Sequence, residues 1–306
     1  MIERSRQAIG WTLFGILLSG SALGAQQPAE PDTVPAATLA PVIVEVFRIP
    51  IEIRRVPFAT TAVGSAQIRE GRPGIALDEA LRTVPGVQVD NRYNYALGER
   101  ISIRGFGART QFGVRGVRIV ADGVPATFAD GQSSLEGIDP GSLERVEVIR
   151  GPASALYGNS AGGVILFRSQ APPAVPLRQE FRVVSGDNGL LRLESRTGGQ
   201  RGNTGYQLRV SRLTYDGYRE FSAFETTHLS GRIQQAVGQG EVRITGNFVD
   251  FVAQNPGSLN QELLEADRFQ AFSNNVRQQT GKDGRQAQVG VWARQPLGKL
   301  EVEGSA

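Results

Sequence analysis

Few residues in this sequence could carry covalent chemistry, and their setting argues against it. Gly158-Asn159-Ser160-Ala161-Gly162 fits the G-x-S-x-G pattern of a hydrolase nucleophile. A nucleophile elbow needs a strand before the turn and a helix after it. Here ASALY before the motif reads as helical and GVILF after it as a strand, which is the reverse order. The only possible base is His228, which alternates with apolar residues on a predicted strand. One histidine and no cysteine leave no zinc-type ligand set. The reading is a non-enzyme with no cofactor and no metal.

The other chemically active side chains are arginines. Arg192, Arg196, Arg209, Arg232 and Arg243 recur on the polar positions of alternating segments. A surface lined by them attracts anions, although a solvated polar face would have the same pattern. The formal net charge of the 306 residues is only +3, too small for a large nucleic-acid footprint, so no nucleic-acid partner is expected.

The elements that would hold these residues fall into four stretches. Arg4 and Arg6, an apolar run from Ile9 to Leu18 and small residues up to Ala25 have the layout of a secretory signal peptide, cleaved after Ala25 or Gly24. The run is about half the ~20 residues that a spanning helix needs. QQPAEPDTVPAATLAP (26–41) reads as an extended tether. VIVEVFRIPIEI (42–53) is a short β-branched strand that either docks on its own domain or is offered to a partner as an added strand.

A mixed segment follows. Leu77, Ala80, Leu81 and Val84 give IALDEALRTV one apolar helical face, bounded by Pro73-Gly74 and Pro85-Gly86. Strands are expected at 87–89, 100–105, 117–123, 143–151 and 162–169, which makes an α+β domain. After APPAVPL (171–177) the texture changes. LLRLESRT, YQLRVS, THLSGRIQ, EVRITGNF, AQVGVWA and KLEVEG each alternate apolar with polar residues, as antiparallel strands of about 9 to 12 residues do. A soluble sandwich would turn the apolar side inward, whereas an outer-membrane barrel turns it toward lipid. Export and strand length favour the barrel. Tyr215, Tyr218, Phe221 and Phe224 near strand ends fit an interfacial aromatic girdle.

ALDEALRTVPGVQV, ISIRGFG, VRIVADGVP and SLERVEVIRGPASALYGNSAGGVI occur in this order behind the signal peptide. Together they resemble the plug domain of TonB-dependent outer-membrane receptors. The resemblance implies an α+β plug domain followed by antiparallel transmembrane β-barrel strands. The expected divisions are a signal peptide (1–25), a periplasmic tether with TonB box (26–58), the plug (59–171) and the N-terminal part of a barrel (172–306). The family's barrel has about 22 strands. The residues after the plug supply six or seven, and lipid does not tolerate the open edges of such a sheet. The sequence is therefore expected to be an incomplete barrel, a fragment that does not form a working transporter alone.

The resemblance also implies roles. Val42, Ile43, Val44, Glu45, Val46, Phe47 and Arg48 stand where the family carries the TonB box, which adds as an edge strand to the energy-coupling protein TonB; Glu45 and Phe47 depart from its usual small β-branched pattern. Arg104 and Arg150 match plug arginines that pair with barrel glutamates and lock the plug. Arg109, Gln111, Phe112, Thr127 and Phe128 lie in the outward loops where substrate would meet the plug. NPGSLNQELLEADR (255–268) resembles a loop of the iron-chelate and ferric-dicitrate-like branch. The implied function is active uptake of an iron–siderophore or ferric citrate complex across the outer membrane, with TonB, the chelate and outer-membrane lipid as partners. The alternative is a passive porin or a non-transporting surface receptor.

Overall fold

The computed structural model describes residues 41–306 apart from 46, 47, 91, 92, 111, 112 and 129, and residues 41–306 form one compact unit. The first elements are a minimal pair, β1 (Ile43–Val44) with β2 (Ile51–Glu52). β3 (Thr60–Gly64) leads into α1 (Ser65–Arg69) and α2 (Asp78–Leu81). β4 (Val87–Asp90) pairs with β5 (Arg100–Ile103). β6 (Val114–Arg115), β7 (Val117–Ala121), β8 (Val124–Pro125) and β9 (Gln132–Ser133) follow, with β6 pairing with β9. β10 (Leu143–Arg150), α3 (Ser154–Tyr157) and β11 (Gly163–Ser169) complete the N-terminal domain.

Its central sheet has the order β3-β10-β11-β7-β8. β10 and β11 are antiparallel, and β11 runs parallel to β7. Both faces are covered, so the central strands read as nearly continuous apolar runs. On one face Val63, Val146, Val148, Ile165 and Phe167 pack with Leu77, Ala80, Leu81 and Val84. These last four are the expected apolar stripe, although α2 is only one turn long and holds just Ala80 and Leu81 of them. On the other face Ile149, Val164 and Leu166 pack with Tyr157 of α3 and with Val44 of β1, which is fully buried. The small residues between β10 and β11 have a steric cause. Gly163 sits opposite Arg150 at φ +143, and a Cβ there would collide with the carbonyl of Ile149.

The second part is a seven-stranded antiparallel meander: β12 (Arg178–Ser185), β13 (Leu191–Arg201), β14 (Thr204–Tyr215), β15 (Phe224–Val237), β16 (Gly240–Gln254), β17 (Gly281–Leu297) and β18 (Leu300–Ser305). On one side two-residue turns join the strands at Gly202-Asn203, Gly238-Gln239 and Gly298-Lys299. On the other side the connections are long, and residues 255–280 carry α4 (Gln261–Ala266) and α5 (Ser273–Arg277). β15, β16 and β17 have 14, 15 and 17 residues, longer than expected. The stretch GGQRGN, which reads as a turn, is mostly strand; only Gly202-Asn203 turns. Gly198 and Gly199 are there because the chain before β12 packs closely on them, and a Cβ on Gly199 would sit 2.7 Å from the Pro176 carbonyl carbon.

The alternation resolves in the barrel sense. Leu191, Leu193, Leu208, Val210, Leu229 and Ile233 are all more than 40 % exposed, while Arg192, Arg209, Ser211, His228 and Arg232 between them are buried. A soluble sandwich would do the opposite. One hydrogen-bonded row on the outer face reads Phe181, Ser195, Val210, Leu229, Phe248, Ala287. The next outward row toward the long connections reads Val183, Leu193, Arg212, Thr227, Asp250, Arg285, with exposed ion pairs Arg212–Glu225 and Arg285–Asp250. The apolar band therefore ends at a charged rim, and the extra strand length carries that rim. Among the described residues no helix is long and apolar enough to cross a membrane.

This boundary gives a positional prediction. Leu229→Arg, within the apolar row, should cost about 2–4 kcal/mol in a denaturant titration from lipid vesicles, whereas Thr227→Arg, within the charged row, should cost about 0–1 kcal/mol. Equal costs at both positions would contradict a lipid-facing surface.

Candidate functional site at the domain and wall interface

The inner face of the strands closes on the N-terminal domain through buried charge. Asp139 begins the one-turn segment Pro140–Ser142 and accepts the Gly141 N–H at 3.0 Å. Two wall arginines converge on it: Arg192 contacts Asp139 Oδ1, and Arg209 Nε lies 3.5 Å from Oδ2. Ser211 Oγ donates to the same carboxylate at 3.0 Å. Glu194, between the two arginines, accepts from Arg192 Nε at 2.5 Å and Arg209 Nη2 at 2.7 Å. Arg192 also donates to the Gly74 carbonyl at 2.8 Å and Arg209 to the Gly141 carbonyl at 2.5 Å. The four charged side chains are each at most 5 % exposed. Gly141 makes room, since a Cβ there would lie 2.5 Å from Arg192 Nη2.

Burial alone would raise the Asp139 pKa, but the Arg192 guanidinium, reinforced by Arg209, holds it well below the usual carboxylate range. More contacts follow the same polarity, with cation on the wall and acceptor on the domain. Arg232 meets Asp122 and Ser169, Lys282 meets Glu136, and Arg182 donates to the Arg69 and Arg72 carbonyls. The lumen arginines singled out in the sequence as a surface for an anionic ligand thus divide. Arg192, Arg209 and Arg232 are neutralised by domain carboxylates. Arg196 pairs with Glu180 at 3.2 Å, and Arg243 pairs with Glu241 at 2.9 Å and lies over Trp292.

Toward the long connections the contacts become aromatic. Tyr95 stacks on Phe224 at 4.5 Å and meets Tyr215 edge-on at 6.1 Å; Tyr93 meets Tyr218 at 5.8 Å. Tyr215 and Phe224, expected in a lipid girdle, therefore turn inward. Beneath them is a cavity of about 70 Å³ bordered by Tyr95, Glu99, Leu135, Phe224, His228 and Phe251. Glu99 accepts the N–H groups of Leu77 (3.1 Å) and Asp78 (2.9 Å) at the start of α2. Burial pushes its carboxyl up to about 7 despite those bonds, with Asp78 and Glu79 adding to the effect.

A second pocket, about 320 Å³, lies between Leu97, Phe128, Ser133, Ser134, Glu136 and Lys282. Phe128, singled out in the sequence, lines it and is 53 % exposed. Thr127 instead positions the loop: its hydroxyl accepts from Ile119 N–H (3.2 Å) and shares a 2.8 Å hydrogen bond with Ser133. Arg109 is exposed on the neighbouring loop, and Gln111 and Phe112 lie outside the described residues. Arg150 donates to the carbonyls of Pro85 (2.9 Å) and Ala59 (3.3 Å) and to Thr61 Oγ1 (3.1 Å), clamping β3 and the turn after α2 to the end of β10. Arg104 is exposed at φ +49, and its N–H donates to the Gly86 carbonyl at 2.8 Å. Among the described residues no ion pair joins Arg104 or Arg150 to the wall.

Of the strand at 42–48, Val46 and Phe47 lie outside the described residues. The rest is docked on the domain. Val44 is buried, Glu45 N–H donates to Glu147 at 2.8 Å, Arg145 donates to the Ile43 carbonyl, and Glu45 pairs with Arg168. The sequence reading missed Asp122, Glu136, Asp139 and Glu147. Asp122 and Asp139 carry one local signal, an acid at a turn, in ADG and IDPGS.

A domain pinned by charge inside a sheet that is apolar outside is the architecture of a plugged barrel. The family model for the TonB-dependent Receptor Plug Domain matches residues 52–164. The vitamin B12 transporter BtuB of Vibrio vulnificus is 34 % identical over 165 residues, covering 54 % of this chain and 24 % of that protein. The ferrioxamine receptor of Yersinia enterocolitica is 31 % identical over 114 residues, covering 37 % of this chain and 15 % of that protein. The unliganded ferric citrate transporter FecA superposes on 81 % of this chain and 39 % of its own with a TM-score of 0.66 at 22 % identity. Residues 52–164 are a TonB-dependent receptor plug domain, and the strands that follow share the fold of that transporter. The chain spans about a quarter or less of the length of these two curated relatives.

Two outcomes follow. Asp139→Asn leaves two buried arginines facing a neutral partner and should cost about 3–5 kcal/mol in denaturant melts. Because the folded Asp139 pKa is depressed, its contribution is complete above about pH 4 and fades as pH falls below that, so the variant and parent melts should converge in acid. Glu99 has the opposite sign. Its raised pKa means the folded protein loses stability as pH rises from 4.5 to about 7, and Glu99→Gln should flatten that slope.

Proposed function

We propose that this chain is the plug and first wall strands of an outer-membrane receptor that takes up an anionic iron chelate, an iron–siderophore or ferric citrate complex, by a TonB-driven mechanism. The observation that carries the reading is the polarity of the sheet: apolar outside, with buried guanidinium–carboxylate contacts to the plug inside. On this reading residues 1–25 are the export signal and 26–58 the tether with its TonB box. The short turns face the periplasm, and the long connections face outward.

The division of labour follows from the contacts. β1 is held by two backbone ladder positions and a few side chains, so a strand-adding partner such as TonB can take it at small cost. The outward pocket with Phe128 and Lys282 receives the chelate, with Arg109, Gln111 and Phe112 on the loop beside it. Arg104 and Arg150 are proposed to meet wall glutamates when the plug is locked. The names of the matched relatives, a vitamin B12 transporter and a ferrioxamine receptor, support transport rather than catalysis. The alternative of a passive porin or a non-transporting receptor differs in energy coupling.

The test is uptake of radiolabelled ferric citrate and of a neutral siderophore complex by cells carrying the whole receptor, with and without TonB. TonB-dependent accumulation is expected. Accumulation without TonB would favour the porin, and binding without accumulation the surface receptor.

A further inference from the structure

Glu45 departs from the small β-branched pattern of a TonB box, and its surroundings give the departure a role. On the short-turn side of the interface, a pocket between plug and wall is lined by four arginines, Arg48, Arg118, Arg168 and Arg243, against two glutamates, Glu45 and Glu303. The carboxylates reach only some of the cations. Glu45 meets Arg168, Glu303 lies 3.8 Å from Arg48, and Arg243 is paired from outside the pocket lining by Glu241 at 2.9 Å. Arg118 has no carboxylate partner among the described residues. Arg243 and Arg294 both lie over Trp292, at 4.5 and 5.6 Å, and Arg48 lies over Tyr157 at 5.0 Å. Burial, with Arg243, Arg232 and Arg294 nearby, lowers the Arg168 pKa to about 10. Guanidinium groups crowded on aromatic faces with too few counter-ions form a receptor for a carboxylate, which they bind bidentately.

We propose that this pocket is a binding site for a carboxylate-bearing polyanion, and that Glu45 occupies it in the resting chain as an internal stand-in. The Glu45 and Arg168 side chains are each 34 % exposed, so their pair is weak and exchangeable. An incoming carboxylate contends with Glu45 for Arg168. Once it holds Arg168, β1 keeps its two ladder positions with β2, the Arg145 and Glu147 contacts and the burial of Val44. Conversely, withdrawing β1 with Glu45 leaves Arg168 as well as Arg118 without a carboxylate partner among the described residues, and the pocket becomes a stronger anion trap on the side from which cargo leaves. The inference rests on reading β1 as the strand a partner withdraws, but its test needs no transport.

Citrate is the probe, titrated calorimetrically into the whole receptor in detergent against sodium chloride of matched ionic strength. Saturable citrate binding is expected. Arg168→Gln should weaken it about tenfold or more, as loss of a charged hydrogen-bond partner does. Glu45→Gln, nearly isosteric and without the competing charge, should tighten it about two- to fivefold. The 306 residues contain no cysteine, so a spin label on Val42→Cys reports β1, and its spectrum should sharpen as citrate binds. Citrate binding that is unchanged or weaker in Glu45→Gln, or unchanged in Arg168→Gln, would overturn the proposal even if TonB-dependent uptake holds. Loss of uptake with these binding shifts intact would instead overturn the transport reading alone.

Discussion

The contact of Asp139 with Arg192 and Arg209 is the constraint on which the rest depends. The inner wall carries guanidinium groups at positions fixed by strand alternation, and enclosure removes them from water. An unpaired buried charge costs several kcal/mol, so each needs a partner supplied by whatever fills the lumen. The plug supplies it through Asp139, Asp122 and Glu136, and through the carbonyls of Gly74 and Gly141. Plug position and wall register are therefore specified together: a one-residue slip of β13 would turn Arg192 toward lipid and Leu191 toward Asp139.

The same contacts divide the plug into parts held with different strength. The region around Asp139 and the Tyr95 stack is tied to the wall by nearly dry ion pairs and aromatic packing. The β1 segment is tied by one buried valine and by partly exposed charge. A pull on the N-terminus meets the weaker part first.

The alternating segments alone determined the strands and their two faces. The apolar stripe of α2 and the runs of β7, β10 and β11 were likewise legible, because core burial leaves a periodic mark. β3 was not legible: TTAVG is short and weakly apolar, and it is a strand because β10 offers it an edge. The GGQRGN segment misled because its glycines serve close packing as well as a turn.

The partners of the charges belong to the tertiary structure. Nothing near Asp139 in the sequence points to Arg192, 53 residues away, and the Tyr95–Phe224 stack joins residues that read separately as loop and girdle. The sequence shows which positions carry charge and which face each strand residue takes, since these follow from residue type and a period of two. Pairing across the lumen depends on where two independently folded layers meet, and on desolvation that exists only once they do. For that reason the arginines' ligand is, in the main, the plug itself.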